Sequence, residues 1–292
     1  MCGIAGYFGR TPPSPERIET CQALMQRRGP DDTGSYAIKT QDGRFLNLLH
    51  SRLSIIDLNM RARQPFLNGN DSLCFNGEIY NYLELRGQLT QNASQFTTSS
   101  DTEVLSQLLA RYGIEGVSRC EGMWAFAWFD SAKEQLFLCR DRFGEKPLYI
   151  YESQEDLFFG SEPKFIFALL GRKLEVDQTQ LKRYLVNGYK SIYKSSNTFF
   201  KDLSEIPPGT YKIYDSKEVK TVKYWSPTFD QQDPFISYKE AVSRAKNALI
   251  QSVELRLRSD VPIAFCLSGG VDSNALISIA KREFDYDVHG FT

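Results

Sequence analysis

An apolar run at Pro262–Leu267 leads into the loop SGGVDS (Ser268–Ser273), a helical stretch to about Arg282 and a second apolar run over Asp287–Thr292. No other feature constrains the fold as tightly. Strand, glycine-rich turn, helix and strand in that order open a parallel, doubly wound sheet. An apolar run without alternation is expected in a strand buried on both faces. A single βαβ unit cannot cover its own sheet. The segment therefore reads as the start of a domain that is completed by later residues or by a partner.

The residues before about 205 have a different texture. Small apolar residues 2–9 (CGIAGYFG) are compatible with a buried strand. Ser14 and Pro15 open a helix with Ile18, Cys21, Leu24 and Met25 at apolar positions, closed by Gly29-Pro30. β-like runs follow at Phe45–Leu49, Leu73–Phe75, Met123–Asp130, Gln135–Arg140 and Leu157–Gly160. Between them the pattern predicts a helix over Asp101–Tyr112, with Ser100 and Glu103 at capping-box spacing and Gly113 as the stop. Strands with helices packed over them make a layered sheet domain. Residues 206–233 are rich in Pro, Lys and Tyr and carry one more β-like run, Thr210–Tyr214. They read as a last strand followed by a linker. Ser237 and Glu240 then form a second capping box, opening a helix with Ala241, Ala245, Leu249, Val253 and Leu257 on one face. The expected division is a domain over 1–210, a linker over 211–236 and the start of a second domain over 237–292.

Composition excludes several functions. The formal charge of −1 gives no attraction for a polyanion such as a nucleic acid. Six Cys without a CxxC pair, and only two His, argue against a zinc site. Cys74 and Cys139 lie in apolar runs and read as buried free thiols of a reducing compartment. No apolar stretch reaches bilayer length and no secretory signal opens the chain, so the cytoplasm is the default location.

Cys2 stands behind a removable Met1 and before Gly3. Removal of Met1 leaves a thiol and a free α-amine on one residue. Their ordinary pKa values, roughly 8.5 and roughly 8, let the amine accept the thiol proton near neutral pH. That is the N-terminal-nucleophile arrangement. The blander reading is a small Cys buried in a strand. The joint presence of MCGIAGYFG, RRGPDDTG (Arg27–Gly34), HSRLSIID (His50–Asp57), FNGEIYNY (Phe75–Tyr82) and SSDTEV (Ser99–Val104), in that order, resembles the class II glutamine amidotransferases. RDRFGEKPLY (Arg140–Tyr149) and FFGSEPK (Phe158–Lys164) resemble the glutamine-hydrolysing asparagine synthetase branch of that class.

The resemblance implies a four-layer αββα N-terminal-nucleophile hydrolase domain, followed by the beginning of an α/β doubly wound domain, in an α+β chain. It also implies roles. Cys2 attacks the amide of glutamine, and Asn76 with the backbone N–H of Gly77 receives the oxyanion. A hairpin turn is the ordinary meaning of Asn-Gly. Arg52 matches the substrate carboxylate, and Asp101 with Glu78 matches its ammonium. The backbone of Leu53, Ile55 and Ile56 lines the pocket. Arg27, Arg28 and Asp31 hold the loop beside it.

The SGGVDS loop resembles the pyrophosphate-binding loop of ATP pyrophosphatases. Ser268, Gly269, Gly270 and Ser273 would donate to ATP, Leu267 would contact the nucleotide, and Asp272 resembles the family's Mg2+-linked carboxylate. Glutamine, ATP and aspartate are the small-molecule partners implied, with a homodimer left open. In the family, ammonia passes to aspartate activated as β-aspartyl-AMP. A chain ending at Thr292 is expected to hydrolyse glutamine without making asparagine. Two other readings stay open: amidation of another carboxylate, such as a sugar acid or an antibiotic precursor, and an inactive glutamine-binding module.

Overall fold

The computed structural model describes residues 1–292 except 92–94, 154, 190–194, 217 and 230–235. Its elements run β1 (Gly3–Gly9), α1 (Pro15–Met25), β2 (Asp32–Lys39), β3 (Phe45–Arg52), β4 (Phe66–Asn68), β5 (Asp71–Ile79), α2 (Tyr82–Gln91), α3 (Asp101–Tyr112), β6 (Gly122–Asp130) and β7 (Gln135–Arg140). They continue with β8 (Tyr149–Glu152), β9 (Leu157–Gly160), α4 (Pro163–Leu170), α5 (Gln178–Asn187), β10 (Leu203–Glu205), β11 (Thr210–Tyr214), β12 (Val219–Lys223), α6 (Tyr238–Arg256), β13 (Ala264–Cys266), α7 (Val271–Phe284) and β14 (His289–Phe291). Two compact units result. One is Met1–Ser54 with Asn59–Ser226, and the other is Ile55–Leu58 with Pro227–Thr292.

The first unit is layered because its strands are apolar on both faces. Side chains alternate across a strand, so each strand feeds two cores. In β1, Ile4 and Phe8 enter one core while Ala5 and Tyr7 enter another. In β6, Ala125, Ala127 and Phe129 face the core shared with Ile4, whereas Trp124, Phe126 and Trp128 face a third core with Val104, Leu105 and Leu108 of α3. The strands form two six-stranded sheets, ordered β10-β8-β9-β1-β3-β2 and β12-β11-β7-β6-β5-β4. Residues of α1 and α4 cover the outer face of the first, and α2 and α3 that of the second. The stacking is helix, sheet, sheet, helix.

Several expected elements appear at their expected places. Helix α3 and strands β7, β9 and β11 have the bounds read from the sequence. Others need correction. Asn76-Gly77 is no turn; both residues sit inside β5, opposite Ala125 and Trp124 of β6. The capping box at α3 is half formed. Ser100 accepts from the N–H of Thr102 at 3.0 Å, but Glu103 turns away from it and accepts from Thr97 and Thr98 at 2.9 and 2.6 Å. Residues 211–226, expected as linker, contain most of β11 and all of β12, whose ladder extends the second sheet. The ladder outweighs the local Lys and Pro content that made the segment look unstructured. Residues 230–235 of the expected linker lie outside the described residues.

The second unit contains the expected βαβ motif. β13 and β14 pair in parallel, Ala264 opposite His289 and Cys266 opposite Phe291, with α7 between them. Ser237 caps α6 by accepting from the N–H of Glu240 at 3.2 Å. Ala264 and Cys266 are exposed, as expected of a lone βαβ unit that cannot cover its own sheet. A two-stranded sheet with one crossover helix has too few layers to enclose them. Asp260 closes the unit around Ile55–Leu58: its N–H donates to Ile55 O at 2.9 Å, and its carboxylate accepts from the N–H of Asp57 at 2.7 Å. Among the described residues no helix is long and apolar enough to cross a membrane.

Candidate active site

The site of the first unit follows from strand alternation at one end of the two sheets. Ile4 of β1, Leu46 and Leu48 of β3, and Cys74 of β5 all face the space between the sheets. Two residues further along each strand, on the same face, come Cys2, His50 with Arg52 beyond it, and Asn76 with Glu78 beyond it. His50 ties the sheets together here: its Nε2 lies 3.1 Å from Phe75 O, and it is 1% exposed. Burial lowers its pKa to about 3, so it is neutral.

Cys2 is half-buried. Its Sγ accepts from the N–H of Leu53 at 3.4 Å and lies 3.5 Å from Leu53 O. Burial pushes its thiol pKa up. Arg28 holds the main chain of this residue, Nε donating to Cys2 O at 2.9 Å. Its Nη1 reaches Glu162 at 3.1 Å. Asp31 secures the neighbouring loop. Its N–H donates to Arg52 O at 2.9 Å, and its carboxylate accepts from the N–H of Ser54 at 2.7 Å. Arg28 and Asp31 thus occupy the loop-holding positions expected of them.

Asn76 is 1% exposed, and its Nδ2 has no hydrogen-bond partner among the described residues. A buried amide donor left unpaired costs roughly 1–3 kcal/mol and is rare unless something visits it. Gly77 is required by packing. A Cβ there would lie 2.2 Å from Met123 O across the ladder.

Arg52 is 4% exposed, and its Nη1 donates to Asn59 O at 3.0 Å. Because Ser100 caps α3, Asp101 is available to turn inward, where its Oδ2 accepts from the N–H of Ile79 at 3.0 Å. Burial, with the charge of Glu78 adding to it, raises the Asp101 pKa to about 7. Burial raises Glu78 as well. A buried and a half-buried carboxyl side by side, once ionised, present negative charge to a cation. Ile55 and Ile56, expected to line the same pocket, group with the other compact unit.

Three residues carried no role on the sequence. Glu162 anchors Arg28. Asp141 is fully buried; its Oδ1 accepts from the N–H groups of Phe143 and Glu145 at 3.0 and 2.9 Å, its Oδ2 from those of Lys146 and Trp124 at 2.9 and 3.2 Å. The loop so fixed carries Lys146, which is 6% exposed. The signal was there in RDRFGEKPLY and FFGSEPK, but nothing local says what those charges touch.

In the second unit, Ser268–Ser273 lies between β13 and the first turn of α7. Gly269 has φ +76°, with open space around the missing Cβ. Ser273 Oγ accepts from the N–H of Ser268 at 3.3 Å and lies 3.2 Å from Ser268 Oγ. No side chain caps α7. The first N–H groups of α7 are thus left without a side-chain cap, as at a helix start that can receive an anion. Leu267 is tied by its N–H to Phe291 O at 2.7 Å.

The family model described as the glutamine amidotransferase domain matches residues 1–225, and the one described as asparagine synthase matches residues 244–292. A putative asparagine synthetase [glutamine-hydrolyzing] 2 of Methanocaldococcus jannaschii is 33% identical over 97% of this chain and 57% of its own. The protein named amidase chry2 of Gibberella zeae is 32% identical over 97% of this chain and 43% of its own. The chain spans about half the length of the curated relatives it matches. Among solved structures, glutamine phosphoribosylpyrophosphate amidotransferase from B. subtilis aligns with a TM-score of 0.57 at 18% identity, over 99% of this chain and 65% of that one. At that identity the likeness shows the fold, the four-layer arrangement described above.

Proposed function

This chain belongs to the glutamine amidotransferase family, and we propose that it releases ammonia from glutamine at Cys2 for the amidation of aspartate. The single observation that carries the hydrolytic half is the unpaired, buried Nδ2 of Asn76 on the face that Cys2 shares. After removal of Met1, the thiol proton passes to the α-amine and Sγ attacks the carboxamide carbon. Asn76 Nδ2 and the Gly77 N–H donate to the oxyanion. The C–N bond breaks as the amine returns its proton to nitrogen, leaving ammonia and a thioester. Water hydrolyses the thioester to glutamate and frees the thiol. Arg52 pairs with the substrate carboxylate, and Asp101 with Glu78 receives its ammonium.

The asparagine synthase family match implies the use of ATP. The uncapped start of α7 and the serine hydroxyls suit a pyrophosphate group. Ser268, Gly269, Gly270 and Ser273 would hold it, beside Leu267. ATP, when bound, activates the acceptor carboxylate towards ammonia. Among the described residues no cluster of three metal-ligating side chains exists. Asp272 would be one of the groups that hold Mg2+ beside the phosphates.

A second reading has a specific support: a relative as similar as the synthetases is named an amidase. It keeps the glutaminase half and changes the acceptor. The test is glutamate release by the Met1-processed chain, with Cys2→Ala as control, followed by an ATP- and glutamine-dependent amidation assay of the full-length protein with aspartate against other carboxylic acids. No glutamate release would sink the proposal. Turnover of another acid in preference to aspartate would select the second reading.

A further inference from the structure

Lys146 is the one lysine among the buried polar and charged residues described. Its position follows from the fold. Leu148 and Ile150 face the space between the sheets, and Lys146 sits at a bend two residues before Leu148. β8 pairs with β9, Tyr149 opposite Gly160, and β9 with β1, Gly160 opposite Ala5. The chain leading into β8 therefore runs towards the same sheet end as the chain leading into β1, where Cys2 lies. From the other sheet, Asn76, Ala125 and Arg140 share one row of β5, β6 and β7. The loop after Arg140 leaves the sheet at the Gly77 and Glu78 end. The Asp141 carboxylate and Arg140, whose Nε donates to Lys146 O at 2.8 Å, fix the loop's main chain. A long flexible side chain is thus aimed by a rigid base.

The charged and titratable groups in electrostatic reach of this lysine and of Cys2 include the amino terminus, Glu78 and Cys74 on β5, Arg28 after α1, Arg52 on β3, Asp101 on α3, and the loop residues Asp31 and Glu145. We infer that Lys146 is a positioning residue of the glutaminase site, a fixed cation that acts on the protonation of Cys2. Its charge disfavours a proton on the amino terminus, which is Met1's in this chain and becomes that of Cys2 on processing, and favours negative charge on Sγ. Both effects lower the pH at which the pair becomes reactive. Glu78 opposes them and keeps the ammonium charged against its burial.

The inference rests on the proposed glutaminase reading, and its test does not need turnover. Iodoacetamide labelling of Cys2 in the Met1-processed chain is followed by peptide mass spectrometry from pH 5 to 10, with the exposed Cys266 as internal reference. Lys146→Met should move the Cys2 profile up by about one pH unit. Lys146→Arg should leave it near the wild type, and Glu78→Gln should move it down. The Cys266 profile should stay fixed throughout, and the acidic limb of kcat/KM for glutamine should follow Cys2. An unmoved Cys2 profile in Lys146→Met overturns the inference, as does an equal shift in Lys146→Arg. If Lys146→Met does not fold, Lys146→Gln takes its place, and an unmoved Cys2 profile there overturns the inference. A wild type that labels as described but hydrolyses no glutamine would refute the glutaminase reading alone.

Discussion

The guanidinium of Arg28 donates to the carbonyl oxygen of Cys2 at 2.9 Å. The contact sets the direction of the main chain at the residue that carries both thiol and amine. Arg28 is itself steadied by Glu162, which is only partly exposed. Arg28→Ala should leave Cys2 in place chemically but loosen its aim. A misplacement of about 1 Å can cost roughly a hundredfold in rate. The expected outcome is a fall in kcat of about ten- to a hundredfold with little change in KM, and a smaller fall of the same kind in Glu162→Gln. Steady-state kinetics of glutamate release check it; a change confined to KM would count against the contact's role.

A single extra residue before Cys2 should abolish glutamine hydrolysis without unfolding the chain. The α-amine becomes a peptide nitrogen and no longer accepts a proton. The buried His50 is engaged with Phe75 O and is not placed to replace it. Glutamate release and thermal midpoint, measured on processed and unprocessed chains, separate the two effects. Undiminished turnover in the extended chain would show the amine to be dispensable.

Asn76→Ala should slow kcat by a hundredfold or more, since losing one oxyanion donor typically costs about 3 kcal/mol. Stability should barely change. The Nδ2 it removes makes no hydrogen bond in the resting site, so no native interaction is lost with it. The paired readout is kcat and thermal midpoint. A large loss of stability with unchanged kcat would assign Asn76 to the core instead.

Glutamine binding should weaken as the pH falls through about 7, where buried Asp101 takes up its proton. A neutral carboxyl no longer pairs with the substrate ammonium. The KM of the wild type should therefore rise from pH 8 to pH 6. In Asp101→Asn it should be high throughout and nearly independent of pH. A wild-type KM that is flat across this range would contradict the assignment.

Stability in acid should report on His50. Its folded pKa of about 3 lies below the ordinary 6.5. Above 6.5 both states are neutral and the residue costs nothing. Between 6.5 and 3 the unfolded chain binds a proton that the folded chain refuses, so stability is lost as the pH falls. The slope is about 1.4 kcal/mol per pH unit for one proton. His50→Gln should remove that share of the slope between pH 6 and 4 in denaturant titrations. An identical slope would mean His50 is protonated in the fold.

Much of this protein was legible because it is local. The bounds of α3 follow from Ser100, a 3.6-residue apolar period and Gly113, all within the same short stretch. The βαβ order and the phosphate-type loop at Ser268–Ser273 are equally local. Cys2, Arg52, Asn76 and Asp101 were found as motif residues. What tertiary structure alone decided is how they meet. Asn76-Gly77 became strand because β6 pairs along its whole length, overriding a dipeptide that favours turns. Glu103 left its capping partner for Thr97 and Thr98, whose N–H groups and hydroxyls together give it four donors. Val219–Lys223 became an edge strand because β11 offered it a ladder. Lys146 and Glu162 joined the site from positions more than a hundred residues after Cys2. Period-two alternation names the face of a strand on which a side chain lies. Which strands then stack, and which ends coincide, is set by long-range pairing and by burial shared between sheets, and no local stretch of sequence contains that.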